Sequence, residues 1–244
     1  MMTKAALHLV IAAALSAAAP VSLAQPQADD ARELARQVMN ALGGIQNWEK
    51  TTELAFDFVV SSEGTEVTRR HHVWNRRTNG YLLSWNDSRN GSAYRLAFDN
   101  IYQKTGTVSI DGRTPADSTV RQMLERGYAL FINDTYWLIM PFKLFDPGVN
   151  LREMPAEKSE GKRVRVLHLS FAGVGLTPGD QYWLAIDPVS FRIQSWRYQL
   201  ESGREGGYFW QDYKAFGAVT LSLRRVSHDG KRVIWFDRVQ VKSE

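Results

Sequence analysis

Apolar and polar side chains alternate along most of this chain, and the alternation predicts β-strands. Leu54, Phe56, Phe58 and Val60 are separated by single residues that are mostly polar. This is the period of a strand that buries one face and exposes the other. Similar segments recur at 67–74, 81–85, 94–98, 108–110, 167–171, 182–186, 191–200, 208–213, 219–223 and 233–241. The pattern therefore predicts about ten strands.

Short glycine-containing turns separate several of these segments. Asn79-Gly80 lies between the second and third predicted strands, and Asp229-Gly230 joins the last two. Such dipeptides favour tight hairpins because both residues tolerate a positive φ. Hairpins connect antiparallel neighbours, so we expect an antiparallel meander rather than a parallel sheet.

An amphipathic helix is predicted near the start of the chain. Positions 34, 38, 41 and 42 are apolar and fall on one helical face. Asp29 or Asp30 is expected to cap its beginning, with Glu33 completing a capping box. Gly43-Gly44 is expected to end it, since glycine favours the left-handed conformation at helix C-termini.

A second helix interrupts the strands between about 115 and 151. Residues 118–130 carry apolar side chains at three- and four-residue spacing, which indicates a helix. It runs into 131–142, the most apolar stretch after the N-terminal segment. Pro141 and Pro147-Gly148 are expected to stop regular structure there.

These elements predict a mainly β fold of the α+β class. We expect one strongly curved antiparallel sheet, or half-open β barrel, with helices covering its concave face. The sequence contains 8 Trp, 9 Tyr and 11 Phe. Large aromatic side chains can fill such a barrel or line a cavity for an apolar ligand, and both interpretations remain open.

The N-terminal segment has the form of a secretory signal peptide. Lys4 precedes an apolar run over 7–19, and Ser22-Leu23-Ala24 matches the small-x-small cleavage pattern. We predict a signal peptide over 1–24 and a mature domain over 25–244, located in a bacterial periplasm. The run is short for a membrane span, although a retained anchor is the alternative. Residue 25 is glutamine, which excludes lipid attachment to a cysteine at that point.

Composition excludes several kinds of chemistry. The chain has no cysteine, so disulfides and thiol catalysis are impossible. A net charge of +4 is too small and too dispersed to indicate nucleic-acid binding. The densest basic cluster contains Arg69, Arg70, Arg76 and Arg77, and we interpret it as a solvated hairpin rather than an anion site.

No catalytic motif is apparent. His71 and His72 are adjacent on a predicted strand, so they point to opposite faces and are better interpreted as surface histidines than as metal ligands. Asp134, Asp146 and Asp180 fall in predicted loops, where turn formation explains aspartate. A hydrolase that uses these loop aspartates is therefore the weakest alternative, and we predict no enzyme activity, cofactor or metal.

Two longer motifs carry a family resemblance. They are NDTYWLIMPFKLFDPGV at 133–149 and FAGVGLTPGDQYW at 171–183. Together with Ala41-Leu42-Gly43-Gly44 and His72-Val73-Trp74, they resemble an uncharacterised family of exported bacterial proteins. That family is similar in architecture to the LolA/LolB lipoprotein carriers.

The resemblance implies an incomplete β barrel with a helical lid over an apolar cavity. It implies a non-enzymatic carrier of a hydrophobic or lipid-like ligand, and the alternative is a protein–protein interaction module of the cell envelope with a filled core. The expected cavity wall is Trp74, Trp85, Tyr136, Trp137, Met140, Phe142 and Trp183. The expected mouth is formed by Lys143, Asp134 and Asp146.

Overall fold

Alternating strands build one antiparallel sheet in the computed structural model, which describes residues 24–173 and 175–244. The strands are β1 (Thr51–Ser62), β2 (Thr65–Asn75), β3 (Tyr81–Asn86), β4 (Ala93–Asn100), β5 (Thr105–Ile110), β6 (Val149–Ser159), β7 (Lys162–Phe171), β8 (Gln181–Ile186), β9 (Ile193–Gln199), β10 (Glu205–Phe216), β11 (Val219–Ser227) and β12 (Arg232–Ser243). The helices are α1 (Ala24–Ala41), α2 (Gly44–Glu49) and α3 (Asp117–Ile139). A 3₁₀ turn (Met140–Lys143) extends α3.

The sheet is an open half-barrel with the order β5-β4-β3-β2-β1-β12-β11-β10-β9-β8-β7-β6. The first and last strands pair at its centre, from Thr51 opposite Ser243 to Ser62 opposite Arg232. Strands β5 and β6 are the two edges and do not pair with each other. The predicted curved antiparallel fold is confirmed.

Helix α3 connects the two edges across the concave face. One side of it is buried, with Leu124, Phe131 and Leu138 among its core residues. Gly127 permits a close approach to the sheet, because a Cβ there would lie 2.6 Å from Leu96 Cδ2 and 2.7 Å from Phe98 Cζ. The helix is therefore packed directly onto β4 over its N-terminal half.

Helix α1 covers the β6 side of the sheet, whereas the short α2 lies against β1 and β11. Leu34, Val38 and Leu42 of α1 are buried, which confirms the predicted apolar face. Gly43 and Gly44 have positive φ values of 108° and 80° and end the helix as expected. The predicted caps Asp29 and Asp30 are wrong, since α1 already begins at Ala24 and position 26, a proline, falls in the first turn, where proline is tolerated.

Strand β6 is missing from the sequence prediction. It is an edge strand whose side chains are exposed or half-buried, so it lacks a clear apolar period. Its register shifts between Met154 and Glu157, around Pro155, as expected for proline at a bulge of an edge strand. The helix predicted over 118–130 is confirmed but continues to Ile139.

The predicted signal peptide lies outside the described residues apart from Ala24, with which α1 begins. Among the described residues, none of the helices is both long enough and apolar enough for a membrane crossing.

Candidate functional site

A cavity of about 680 Å³ lies between the C-terminal half of α3 and the concave face. It opens at the rim where β7, β9 and β1 end and β8, β10 and β12 begin. Its wall contains Phe58, Val60, Thr68, Arg70, Tyr128, Ile132, Asn133, Tyr136, Trp137, Lys143, Asp146, Pro147, Val149, Phe171, Gly175, Leu176, Thr177, Asp180, Tyr182, Trp196, Tyr198, Leu200, Arg204, Tyr208, Arg232 and Ile234. The interior of the half-barrel is therefore not completely filled on this side.

Aromatic rings form the floor of the cavity. Trp137 of α3 packs edge-on against Trp196 of β9 and Tyr208 of β10, with centroids 4.6 Å and 5.0 Å apart. Tyr182 of β8 lies 5.1 Å from Trp196 and 6.0 Å from Tyr136. This aromatic floor offers a large apolar contact surface with a few hydroxyl groups.

The tyrosines of the floor remain neutral phenols at neutral pH. Burial raises the pKa of Tyr136 and Tyr182 far above the ordinary value for tyrosine. Burial also raises the pKa of Tyr208, against the opposing charges of Arg232 and Arg204. The deep part of the cavity thus suits uncharged, apolar groups.

Two carboxylates of the cavity wall, Asp146 and Asp180, lie in loops and have polar partners. Lys143 forms an ion pair with Asp146, which lies on the turn before β6. Asp180 is almost fully buried and accepts hydrogen bonds from Thr177 Oγ1 at 2.6 Å and from the Glu201 amide at 2.9 Å. These contacts hold the loop before β8 against the loop before β10.

A buried ion pair anchors α3 beside the cavity. Asp134 is completely buried and accepts two hydrogen bonds from Arg70 of β2, at 2.6 Å from Nε and 2.8 Å from Nη2. Burial by itself raises the pKa of Asp134, but His72 and Arg70 together outweigh it and hold the pKa below its ordinary value. The carboxylate is therefore ionised and paired, which is unsuited to a general acid.

His72 extends this cluster into the core. It is completely buried, and its Nδ1 contacts the Tyr81 hydroxyl group. Nε2 lies 3.1 Å from Asp134 Oδ2, although the geometry falls short of a full hydrogen bond. Burial lowers the pKa of His72, so the ring is neutral, and a proton on Nε2 leaves Nδ1 able to accept a hydrogen bond from the Tyr81 hydroxyl group.

A second buried cation holds the C-terminal end of α3. Arg225 of β11 is completely buried, donates to the Trp137 carbonyl oxygen at 2.7 Å and stacks over Trp210 at 3.6 Å. Burial lowers the pKa of Arg225 to about 9, so the guanidinium stays charged at neutral pH. A cation at the last turn is favourable because helix carbonyl groups are left unpaired there.

Four of the expected site residues are brought together at the cavity. Tyr136 and Trp137 lie in the aromatic floor, and Lys143 and Asp146 lie at the edge. Asp134 does not belong to a mouth or a loop, because the helix continues through it and buries it against Arg70. Asp134 is therefore not accessible as a catalytic group for the hydrolase alternative.

Five expected wall residues lie elsewhere. Trp74, Met140 and Phe142 are core residues, with Trp74 against Phe131 and Phe142 stacked on Trp48. Trp85 stacks on Tyr94 at 4.6 Å in the half of the sheet that α3 fills, and Trp183 stacks on His168 at 4.9 Å. Trp183 points to the outer face because its neighbours in β8 face the cavity and the core.

The cavity residues missed from the sequence are mainly aromatic residues of β8 to β10. Tyr182, Trp196, Tyr198 and Tyr208 were available as the inward positions of predicted strands. Alternation could have placed them on one face of the sheet, but it could not have shown that the space above them is empty.

The histidines and arginines also differ from the sequence interpretation. His71 and His72 do point to opposite faces, but only His71 is at the surface, 2.7 Å from Asp57. Arg69 and Arg70 likewise diverge, and Arg69 bonds Glu66, Asp57 and Asp237 on the outer face. Within the described ranges no group of three or more His, Asp or Glu side chains could hold a metal ion.

The fold is shared with a solved structure of very different sequence. A LolA superfamily protein from Nitrosomonas europaea matches with a TM-score of 0.50 and 8% identity, over 86% of this chain and 94% of that chain. The fold is LolA-like. This confirms the fold that the sequence motifs implied.

Two further structures resemble this LolA-like chain at lower scores. A DUF1329 family protein from Desulfovibrio piger has a TM-score of 0.49 and 9% identity, over 88% of this chain and 93% of that chain. A putative outer membrane lipoprotein-sorting protein domain from Vibrio parahaemolyticus has a TM-score of 0.46 and 9% identity, over the same shares. A scan against protein-family models and a search of the curated proteins both find no match.

Proposed function

We propose that this protein is a non-enzymatic periplasmic carrier that holds a hydrophobic or lipid-like ligand in the cavity beneath α3. The observation that carries the proposal is the cavity itself, about 680 Å³ in volume with an aromatic, uncharged floor. A volume in this range suits a small amphiphile or part of a lipid chain. A filled-core interaction module does not account for such a space.

The anchoring of α3 adds to the proposal. Arg70 and Arg225 hold the helix to both halves of the sheet through buried charged hydrogen bonds. Breaking a buried ion pair is costly, so a ligand would enter at the open rim rather than by lifting α3. The cavity is thus a preformed site.

Uptake of the apolar dye Nile red by the full chain tests the proposal, together with native mass spectrometry for co-purified lipid. Thr68 faces the cavity, whereas the adjacent Val67 is 42% exposed on the other face of β2. We expect Thr68→Trp to weaken dye binding by about tenfold, or about 1.4 kcal/mol, because the new ring occupies the site.

Val67→Trp adds the same side chain to the outer face and should leave the affinity unchanged. Absence of both dye uptake and bound lipid would refute the carrier. Equal loss of affinity in the two variants would place the dye outside the cavity.

A further inference from the structure

The cavity has two chemically different ends. Its floor consists of neutral aromatic rings, while Arg204 and Arg232 line its mouth. Arg204 lies in the loop before β10, and Arg232 is the first residue of β12. Both are exposed, and in the described part of the chain neither has a carboxylate partner.

The other cations of the cavity wall are neutralised. Lys143 is paired with Asp146, and Arg70 is paired with buried Asp134. Asp180, the remaining carboxylate of the wall, is engaged by a hydroxyl and a backbone amide. Arg204 and Arg232 are thus the basic side chains of this wall that have no ion pair among the described residues.

Tyr208 connects these arginines to the floor. Tyr208 lines the same cavity as both arginines; burial raises its pKa, and the positive charges of Arg232 and Arg204 oppose that effect. Tyr198 stacks beside Tyr208, with centroids 6.4 Å apart and planes 22° apart. Gly206 leaves room for this stack, because a Cβ there would collide with the Tyr198 hydroxyl group.

We propose that the ligand is an amphiphile whose anionic phosphate or carboxylate headgroup binds between Arg204 and Arg232 while its apolar chain lies on the aromatic floor. Guanidinium groups bind these anions through charge-assisted hydrogen bonds. This inference rests on the proposed carrier function and adds the class and orientation of its cargo.

The test uses two probes with the same chain, hexadecyl phosphate and hexadecanol, each displacing Nile red from the full chain. We expect the phosphate to bind about tenfold more tightly than the alcohol. The Arg204→Gln/Arg232→Gln variant should lose this preference and keep its affinity for the alcohol.

Arg95→Gln/Arg163→Gln is the matched control, since it removes the same charge from exposed arginines outside the cavity that have no ion pair in the described part of the chain. It should retain the preference for the phosphate. Failure of the wild-type protein to prefer the phosphate, or a preference that survives in the Arg204/Arg232 variant, would overturn the headgroup site and leave the carrier intact.

Two further outcomes separate the remaining possibilities. No binding of Nile red or either probe would overturn the carrier together with its headgroup site. Inorganic phosphate is added alone as a third probe, and it should bind far more weakly than hexadecyl phosphate. Equally tight binding of inorganic phosphate would assign the arginines to a free anion and overturn the amphiphile.

Discussion

Single side chains around α3 show how burial changes their chemistry. Asp134, Arg70 and His72 would be ordinary titratable groups in water, but here they form one enclosed cluster. Burial favours the neutral form of His72, whereas the carboxylate of Asp134 stays ionised because two neighbours compensate for its lost hydration. The cluster therefore stabilises the fold in a pH-dependent way.

The lowered pKa of His72 predicts a loss of stability in mild acid. Between the ordinary histidine pKa of about 6.5 and the lower native value, the unfolded chain binds a proton that the folded chain does not. The free energy of unfolding should then fall by up to about 1.4 kcal/mol per pH unit as the pH decreases below 6.5. Urea titrations at several pH values measure this slope.

His72→Gln should remove most of the slope whatever its effect on stability at pH 7. His228→Gln is the control, since burial also lowers the pKa of His228 but this ring is less enclosed. An unchanged slope in His72→Gln would mean that another group is responsible.

At the scale of elements, α3 depends on groups that lie far from it in sequence. Its apolar side packs on the sheet, and Arg70 and Arg225 reach it from β2 and β11. A helix held in this way is a fixed wall of the cavity. Its position is set by tertiary contacts more than by helix propensity.

Removing the buried carboxylate should destabilise the protein strongly. Asp134→Asn leaves Arg70 without its ionic partner in a site where its side chain is only 16% exposed, and we expect a loss of about 3–5 kcal/mol. Asp146→Asn, which breaks the exposed pair with Lys143, should cost no more than about 1 kcal/mol. Denaturant unfolding measures both values.

Arg70→Met/Asp134→Leu removes both charges together and should recover much of the lost stability, because no unpaired buried charge remains. A double variant as unstable as Asp134→Asn would show that the pair is needed for packing rather than for charge balance.

At the scale of the whole molecule, the first and last strands pair at the centre of the sheet. Strand β1 lies between β2 and β12, whereas β5 and β6 each have one neighbour. The central pairing joins residues separated by most of the chain, as Thr51 opposite Ser243 shows. We therefore expect β1 and β12, which are far apart in sequence, to be the part of the fold that unfolds most cooperatively.

Amide hydrogen exchange should reflect this arrangement. We expect the amides of β1 and β12 to exchange about a hundredfold more slowly than those of β6, because the edge strand can open locally. Strand β7 has two neighbours and serves as the internal comparison for β6. Exchange in β12 as fast as in β6 would show that the two halves of the sheet separate independently.

Local sequence patterns predict most of the strands, their antiparallel pairing and the amphipathic face of α1, because these features depend on nearby residues. Alternation at Leu54 to Val60 and the turn at Asn79-Gly80 are local signals, and the strand and the hairpin both form. The predicted exposed face of β1 is wrong, because Ala55, Asp57 and Val59 are buried as well. The edge strand β6 is absent from the sequence prediction because neither of its faces is completely buried. The motifs around Tyr136 and Trp183 also indicated the LolA-like fold.

Which aromatic residues face empty space depends on contacts between elements that are far apart in the chain. Trp74 and Trp137 are equally plausible in sequence, yet one packs in the core and the other lines the cavity, since α3 fills only part of the concave face. The pairing of Asp134 with Arg70 depends on the same crossing of α3 over the sheet. Contacts between elements far apart in the chain leave no periodic pattern in the sequence. The cavity therefore forms, and can be recognised, only once the sheet has curved around α3.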